Sequence, residues 1–145
     1  MAENVTVEFP SDYKYLNIVD LVCNELVEDM GFNHQSANEI SISVVEACTN
    51  ALEHGNKCCV DCNVRAVFTM LPDRLVVEVC DCGEGFDFED YLKHIPDPSN
   101  IHHQRGRGIY IMQRMMDTLD FEMCDGEGMK VKLEKMLCKE HAEKA

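Results

Sequence analysis

Basic residues are scarce in this chain: 13 lysines and arginines face 27 aspartates and glutamates, for a net charge of −14. That balance argues against a general nucleic-acid binder, which needs a basic surface to displace counterions from phosphates. The acidity either keeps a small protein in solution or steers a basic protein partner towards it. No basic segment followed by an apolar stretch opens the sequence, and no apolar run nears the ~18 residues a membrane helix needs. The chain therefore reads as soluble, unexported and cytoplasmic. Familiar phosphate-handling signatures are also missing. There is no Gly-Lys-Ser/Thr loop, no His-Arg-Asp and no Asp-Phe-Gly, which excludes the commonest NTPase and protein-kinase plans. Gly106-x-Gly108 lacks a third glycine and follows no strand directly, so a Rossmann fold is excluded too.

What is present fits one domain: 145 residues with a 46% hydrophobic share can bury a core without staples. The nine cysteines are an odd number without a secretion signal, which suits reduced thiols better than a disulfide framework. His54, Cys58, Cys59 and Cys62 crowd together, but zinc wants four converging ligands. Cys62 also shares the alternating register of Val60, Val64, Ala66, Phe68 and Met70. The expectation is a small core residue there and no stoichiometric zinc.

The periodicities order the elements. Val5 to Phe9 alternates as a strand, and Ser11 is placed to cap a helix with the stripe Tyr15, Val19, Val22, Leu26 and Met30, ended by Gly31. Asn33 or Ser36 opens a second helix reaching about His54, with Gly55-Asn56 as its stop. Its buried line is Ala37, Ile40, Val44, Ala47, Cys48 and Ala51. Strands at about 60–70 and 74–80 follow, joined at Leu71-Pro72-Asp73-Arg74. Phe88 to Ile95 predicts a short helix, and Pro96 to Arg105 a mobile loop. A helix runs from Gly108 to about Thr118 with Ile109, Met112, Met115 and Leu119 on one side. Leu119–Cys124 and Met129–Leu137 form a last hairpin around Asp125-Gly126-Glu127-Gly128, and the tail from Lys139 frays. This order predicts an α/β two-layer sandwich: a mostly antiparallel, mixed sheet with helices on one face, as one domain over 1–145.

Three groups carry chemistry. Glu46 and Asn50 lie four apart and share a helix face. An amide oxygen is a hard ligand for Mg²⁺, and a carboxylate one turn away can take a proton from a hydroxyl or water. Asp81 ends a strand, before Gly83 and Gly85. A carboxylate there accepts from the exocyclic amine of adenine and rejects the carbonyl of guanine. Gly106 and Gly108 precede a helix whose N-terminal amides favour phosphate. Arg105 and Arg107 add charge suited to a transferring phosphoryl group. Each group alone also fits a bland reading: a solvated helix face, a strand-ending turn, a loop with solvated arginines. His102 and His103 read as loop surface, mostly neutral at pH 7. In this order the three point to ATP.

Glu46-Ala47-Cys48-Thr49-Asn50-Ala51-Leu52-Glu53-His54-Gly55, Asp81-x-Gly83-x-Gly85-Phe86-Asp87 and Gly106-Arg107-Gly108-Ile109-Tyr110-Ile111-Met112 resemble the N box and the two glycine boxes of the GHKL ATPase superfamily. Within it the chain is similar to the stand-alone anti-sigma-factor serine kinases. Those phosphorylate an anti-anti-sigma partner and sequester a sigma factor. The resemblance implies the Bergerat-type sandwich fold, ATP with Mg²⁺, and a homodimer. It implies Glu46 as general base, Asn50 as Mg²⁺ ligand, Asp81 as the adenine-reading carboxylate, and Gly83 and Gly85 beneath the nucleotide. Gly106 and Gly108 match the hinge of a lid over the phosphates, while His54, Phe86 and Ile109 fall at nucleotide-contacting positions of the boxes. One departure stands out: a threonine often follows the glycine of the last hairpin, and here Gly128 is followed by Met129. Two other activities share these boxes: an ATP-dependent binding module without turnover, and a histidine-kinase-type catalytic domain or simple ATPase. Glu46 speaks against the latter, because histidine needs no base to become nucleophilic. A separate helical segment carrying a phospho-accepting histidine is also missing.

Overall fold

The computed structural model describes residues 2–56, 59, 61–82, 104–123 and 128–137, with the backbone alone for 104–107. In chain order the elements are β1 (Glu3–Pro10), α1 (Leu16–Met30), α2 (His34–Asn50), β2 (Asn63–Leu71), β3 (Arg74–Cys80), α3 (Gln104–Met115), β4 (Thr118–Met123) and β5 (Met129–Met136). The strands form one sheet in the order β1-β2-β3-β5-β4. Every pairing among the described strands is antiparallel, so the parallel component of the expected mixed sheet is not found there. A tight turn joins the first hairpin, where Leu71 pairs with Arg74 across Pro72-Asp73, and in the second Met123 pairs with Met129.

Alternation divides the sheet into a greasy face and a charged one. Val64, Ala66 and Phe68 of β2, Leu75, Val77 and Val79 of β3, and Val131 and Leu133 of β5 share one core with the helices. On the other face Lys130 Nζ sits 3.1 Å from both Glu78 and Glu122. Such part-exposed pairs contribute at most about 1 kcal/mol each, so burial of the inner face sets the register.

The helices depart from the sequence reading in instructive ways. On α1 the fully buried residues are Val19, Cys23 and Val27, while Tyr15, Val22, Leu26 and Met30 pack at the edge of the core. The buried line is displaced because Cys23 serves as a small apolar residue; burial, with Asp20 nearby, pushes its thiol up to about 12. Ser11 caps no helix. It is buried and its hydroxyl donates to the Cys62 carbonyl, while Asp12 caps a short 3₁₀ turn by accepting from the Lys14 amide at 3.1 Å. Gly31 ends α1 as expected, at φ 90°, with its amide bonded to Glu28 and that of Phe32 to Val27. Asn33 rather than Ser36 opens α2, its side chain accepting from the Ser36 amide at 2.8 Å.

The buried line of α2 is Ile40, Val44, Ala47 and Cys48, continued by Ala51. Beyond Asn50 the helix widens into a π-helical turn, Ala51–Gly55, a distortion that often marks functional sites. The third helix starts at Gln104 and ends at Met115, three residues before Thr118. Its glycines therefore lie inside the helix instead of preceding it, and the expected loop is already helical by Gln104. Lys135 fixes the far end: its ammonium donates to the Met115 carbonyl and lies 3.6 Å from Glu39 of α2. Cys62 is not an inward strand residue. It precedes β2, half-buried, with its amide bonded to the Cys59 carbonyl at 3.0 Å. The helix expected over 88–95, the loop over 96–103, the tip over 125–127 and the tail from 139 lie outside the described residues.

Candidate active site

Glu46 and Asn50 are both half-buried at the end of α2, and the packing of α3 decides what they face. A Cβ built on the buried Gly108 would lie 2.8 Å from Glu46 Oε2, 3.2 Å from Asn50 Nδ2 and 3.7 Å from Asn50 Oδ1. With no side chain at this position, α3 approaches the tips of this pair closely without displacing them. Thus the N box and the second glycine box meet directly. Behind the pair, burial and then the neighbouring Cys23 push the Cys48 thiol up to about 12, which removes it from the chemistry.

Asp81 is held from three sides. Its amide donates to the Met129 carbonyl at 3.1 Å, and its Oδ1 accepts from the Met129 amide at 3.2 Å. A Cβ on Gly55 would fall 2.2 Å from Asp81 Oδ2, and one on Gly128 would fall 2.0 Å from the Asp81 carbonyl oxygen. Gly128 also has φ 95°, a backbone conformation that disfavours any other residue. A carboxylate offers about four acceptor positions, so a bond to Met129 is compatible with recognising a ligand donor.

The buried Asn56 braces this arrangement. Its Nδ2 donates to Ser11 Oγ at 2.9 Å, to the Asn63 carbonyl at 3.1 Å and to the Cys62 carbonyl at 3.3 Å. Its Oδ1 accepts from the Cys82 amide at 2.7 Å. One amide thus ties the end of α2, the β1–α1 link and the start of β2 to the segment carrying Asp81.

Between these groups opens a cleft, about 330 Å³ when the open solvent at its mouth is included. Ala51, Gly55, Ile109, Phe121, Met129 and Val131 line it, with Asn50 and Asp81 as its polar contributions. Apolar walls with few polar groups suit a flat, partly apolar ligand such as a base. The Met129 departure acquires a structural account: its backbone clasps Asp81, and its buried side chain walls the cleft.

The structure brings Asn50, Asp81 and Ile109 to one cleft, and Glu46 and Gly108 meet beside Asn50 without lining it. His54 instead sits in the π-helical turn with Nε2 3.9 Å from Glu53 Oε2, and is not among the lining residues. Arg105, Gly106 and Arg107 lie in the first turn of α3, where the side chains are not described. Gly83, Gly85 and Phe86 lie outside the described residues, as does Cys58. Sequence reasoning missed Asn56, Phe121 and the clasp role of Gly55 and Gly128. For Asn56 a signal existed: an amide directly after a helix-ending glycine reads only as a stop until its burial is known.

Residues 9–135 match the model of the histidine kinase-like ATPase domain. The chain is 29% identical over 147 residues to the serine-protein kinase RsbW of Bacillus licheniformis, covering 98% of this chain and 91% of that protein. With the serine-protein kinase RsbW of Bacillus cereus (strain ATCC 10987 / NRS 248) it shares 31% identity, covering 97% and 89%. Among solved structures, the catalytic domain of histidine kinase ThkA superposes with a TM-score of 0.56 at 12% identity, over 94% of this chain and 99% of that one. The last is a likeness of fold. Taken with the meeting of Glu46, Asn50 and Gly108 beside the Asp81 cleft, a family match over most of the length leads to one conclusion: the chain belongs to the histidine kinase-like ATPase domain family.

Proposed function

We propose that this protein is an ATP-dependent serine/threonine protein kinase of a partner-switching regulatory system, with the whole chain, 1–145, as one kinase domain. Its near-full-length relatives are named serine-protein kinases. The observation that carries the reading within the site is the contact of Gly108 with both Glu46 and Asn50, next to the Asp81 cleft.

The residues fit ATP with Mg²⁺. Asp81 accepts from the exocyclic amine of adenine while Ile109, Phe121 and Val131 exclude water from the ring. Asn50 contributes a neutral amide oxygen for Mg²⁺, and Arg105, Arg107 and the first-turn amides of α3 contribute positive charge for phosphates. Bound ATP·Mg²⁺ supplies the transferable phosphoryl group and part of the charge that stabilises its transfer. Glu46 orients a serine or threonine hydroxyl of the partner and accepts its proton at a carboxylate oxygen. The substrate is an anti-anti-sigma-like protein, and a sigma factor or similar regulator is the controlled target. The kinase acts as a homodimer in the cytoplasm; among the described residues no helix is long and apolar enough to cross a membrane.

Labelled ATP and the cognate partner test this reading. Wild type is expected to place phosphate on serine or threonine. Glu46→Gln is expected to keep ATP binding and lose transfer by on the order of 10²–10⁴-fold. Phosphate on histidine would overturn the assignment. ATP-dependent gripping of the partner without transfer would replace the kinase with a binding module.

A further inference from the structure

Three thiols converge beside the Asp81 segment, and the kinase reading leaves them without a role. Cys59 and Cys82 are exposed and Cys62 is half-buried. The Cys62 amide bonds to the Cys59 carbonyl at 3.0 Å, the bond between first and fourth residues that closes a turn. Ends of such a turn lie within about 7 Å between Cα atoms, overlapping the roughly 4.4–6.8 Å that a disulfide spans. The neighbouring Cys59 side chain, some burial and then the nearby Cys82 and Asp61 raise the Cys62 thiol above its ordinary value. Cys82 is engaged elsewhere: its Sγ lies 3.7 Å from the Asn63 carbonyl, to which it donates. The pairing thus favours Cys59 with Cys62.

We propose that Cys59 and Cys62 form a peroxide-sensitive dithiol, a modification site linked to nucleotide binding through Asn56. Cys59 meets the oxidant first, because it is exposed while Cys62 is half-buried. The Cys59 thiolate attacks one peroxide oxygen; the O–O bond breaks, leaving Cys59 sulfenic acid and a hydroxide that leaves as water. Cys62 sulfur then attacks Cys59 sulfur, the S–O bond breaks, and a second water departs with the Cys62 proton. Two thiols are oxidised to one disulfide and one peroxide is reduced to two waters.

The linkage runs through the hydrogen bonds of one residue. Asn56 donates to the Cys62 carbonyl and accepts from the Cys82 amide, next to Asp81. Drawing the two sulfurs together to about 2.05 Å changes the turn that presents the Cys62 carbonyl. This part of the inference rests on the nucleotide reading of the Asp81 cleft.

Oxidation of the full reduced chain with hydrogen peroxide, followed by alkylation and peptide mapping, tests the site. A Cys59–Cys62 disulfide is expected while Cys23 and Cys48 remain thiols. Cys62→Ser is expected to accumulate a sulfenic acid on Cys59 that a cyclic diketone traps. A pair made with Cys58 or Cys82, or an unmodified Cys59, overturns the proposal. In a second arm, ATP affinity is measured on reduced and oxidised protein, with an expected change of about 5-fold or more that peroxide does not produce in Cys62→Ser. Equal affinities overturn the linkage. Failure of the reduced protein to bind ATP overturns the nucleotide reading, and the linkage with it, while the disulfide map still decides the dithiol.

Discussion

The two ends of the cleft use glycine for opposite purposes. At the Asp81 end, Gly55 and Gly128 press on the aspartate from both sides, and the second presses on its backbone carbonyl. A backbone atom cannot swing away, so that end tolerates no intruding carbon. At the other end Gly108 faces the tips of Glu46 and Asn50, side chains that can rotate. The first end is a rigid clasp suited to reading shape. The second is an adjustable contact whose geometry matters for chemistry more than for folding.

Substitution at the two glycines sets these ends against each other. Gly128→Ala combines a left-handed backbone with a Cβ 2.0 Å from the Asp81 carbonyl. It is expected to cost on the order of 3 kcal/mol of stability, read as a lowered urea midpoint, with ATP binding lost in step. Gly108→Ala removes a helix-interior glycine, which by itself favours the helix by roughly 1 kcal/mol. Stability should change little there, but displacement of the Glu46 carboxylate is expected to slow phosphoryl transfer on the order of 10²-fold. If Gly108→Ala unfolds the protein, or Gly128→Ala leaves it as stable as wild type, the contrast fails.

Asn56 sharpens the comparison from the clasp side. Asn56→Ala strands the Cys82 amide and withdraws donors from the Ser11, Cys62 and Asn63 oxygens. The expected loss is about 2 kcal/mol, with weakened ATP affinity because the Asp81 segment loses its brace. Calorimetric titration and urea unfolding read both. Unchanged ATP affinity would show that Met129 and the glycines suffice to hold Asp81.

The effect that is smallest near neutral pH, and grows only in alkali, belongs to the buried thiols behind Glu46. Cys23 and Cys48 are both raised from 9.0 to about 12 in the fold. Between those values the unfolded chain has released the protons that the native state still holds. Stability therefore falls as pH rises through that window, by on the order of 1 kcal/mol per pH unit for each thiol. Below pH 9 the contribution is fully present. Alkaline urea titrations on wild type and Cys48→Ala measure the slope, and equal slopes would remove Cys48 from the account.

Much of the fold was legible because alternation and helical spacing are local signals. The strands, the α2 line from Ile40 to Ala51 and the left-handed Gly31 all follow from residues close in sequence. The buried line of α1 was displaced because a cysteine looks like chemistry in a sequence and acts as a hydrophobe in a core. Ser11 misled for a related reason: a hydroxyl before a helix resembles a cap, yet its partner, the Cys62 carbonyl, lies 51 residues away. In the site, Glu46, Asn50 and Asp81 could be named from type and order. Asn56 and Phe121 could not, and Met129 could be named only as a departure, because each acts through partners on other elements.

By itself the sequence determined which residues could do chemistry and which faces would be buried, since side-chain type and spacing along a helix or strand are intrinsic to the chain. Tertiary structure alone decided where those residues meet. Gly108 reaches Glu46 only because α3 packs on α2, and Asp81 meets Gly55 and Gly128 only because β3 pairs with β5 beside the π-helical turn. Contacts of that kind join segments tens of residues apart. No local spacing encodes them; burial of the shared core does.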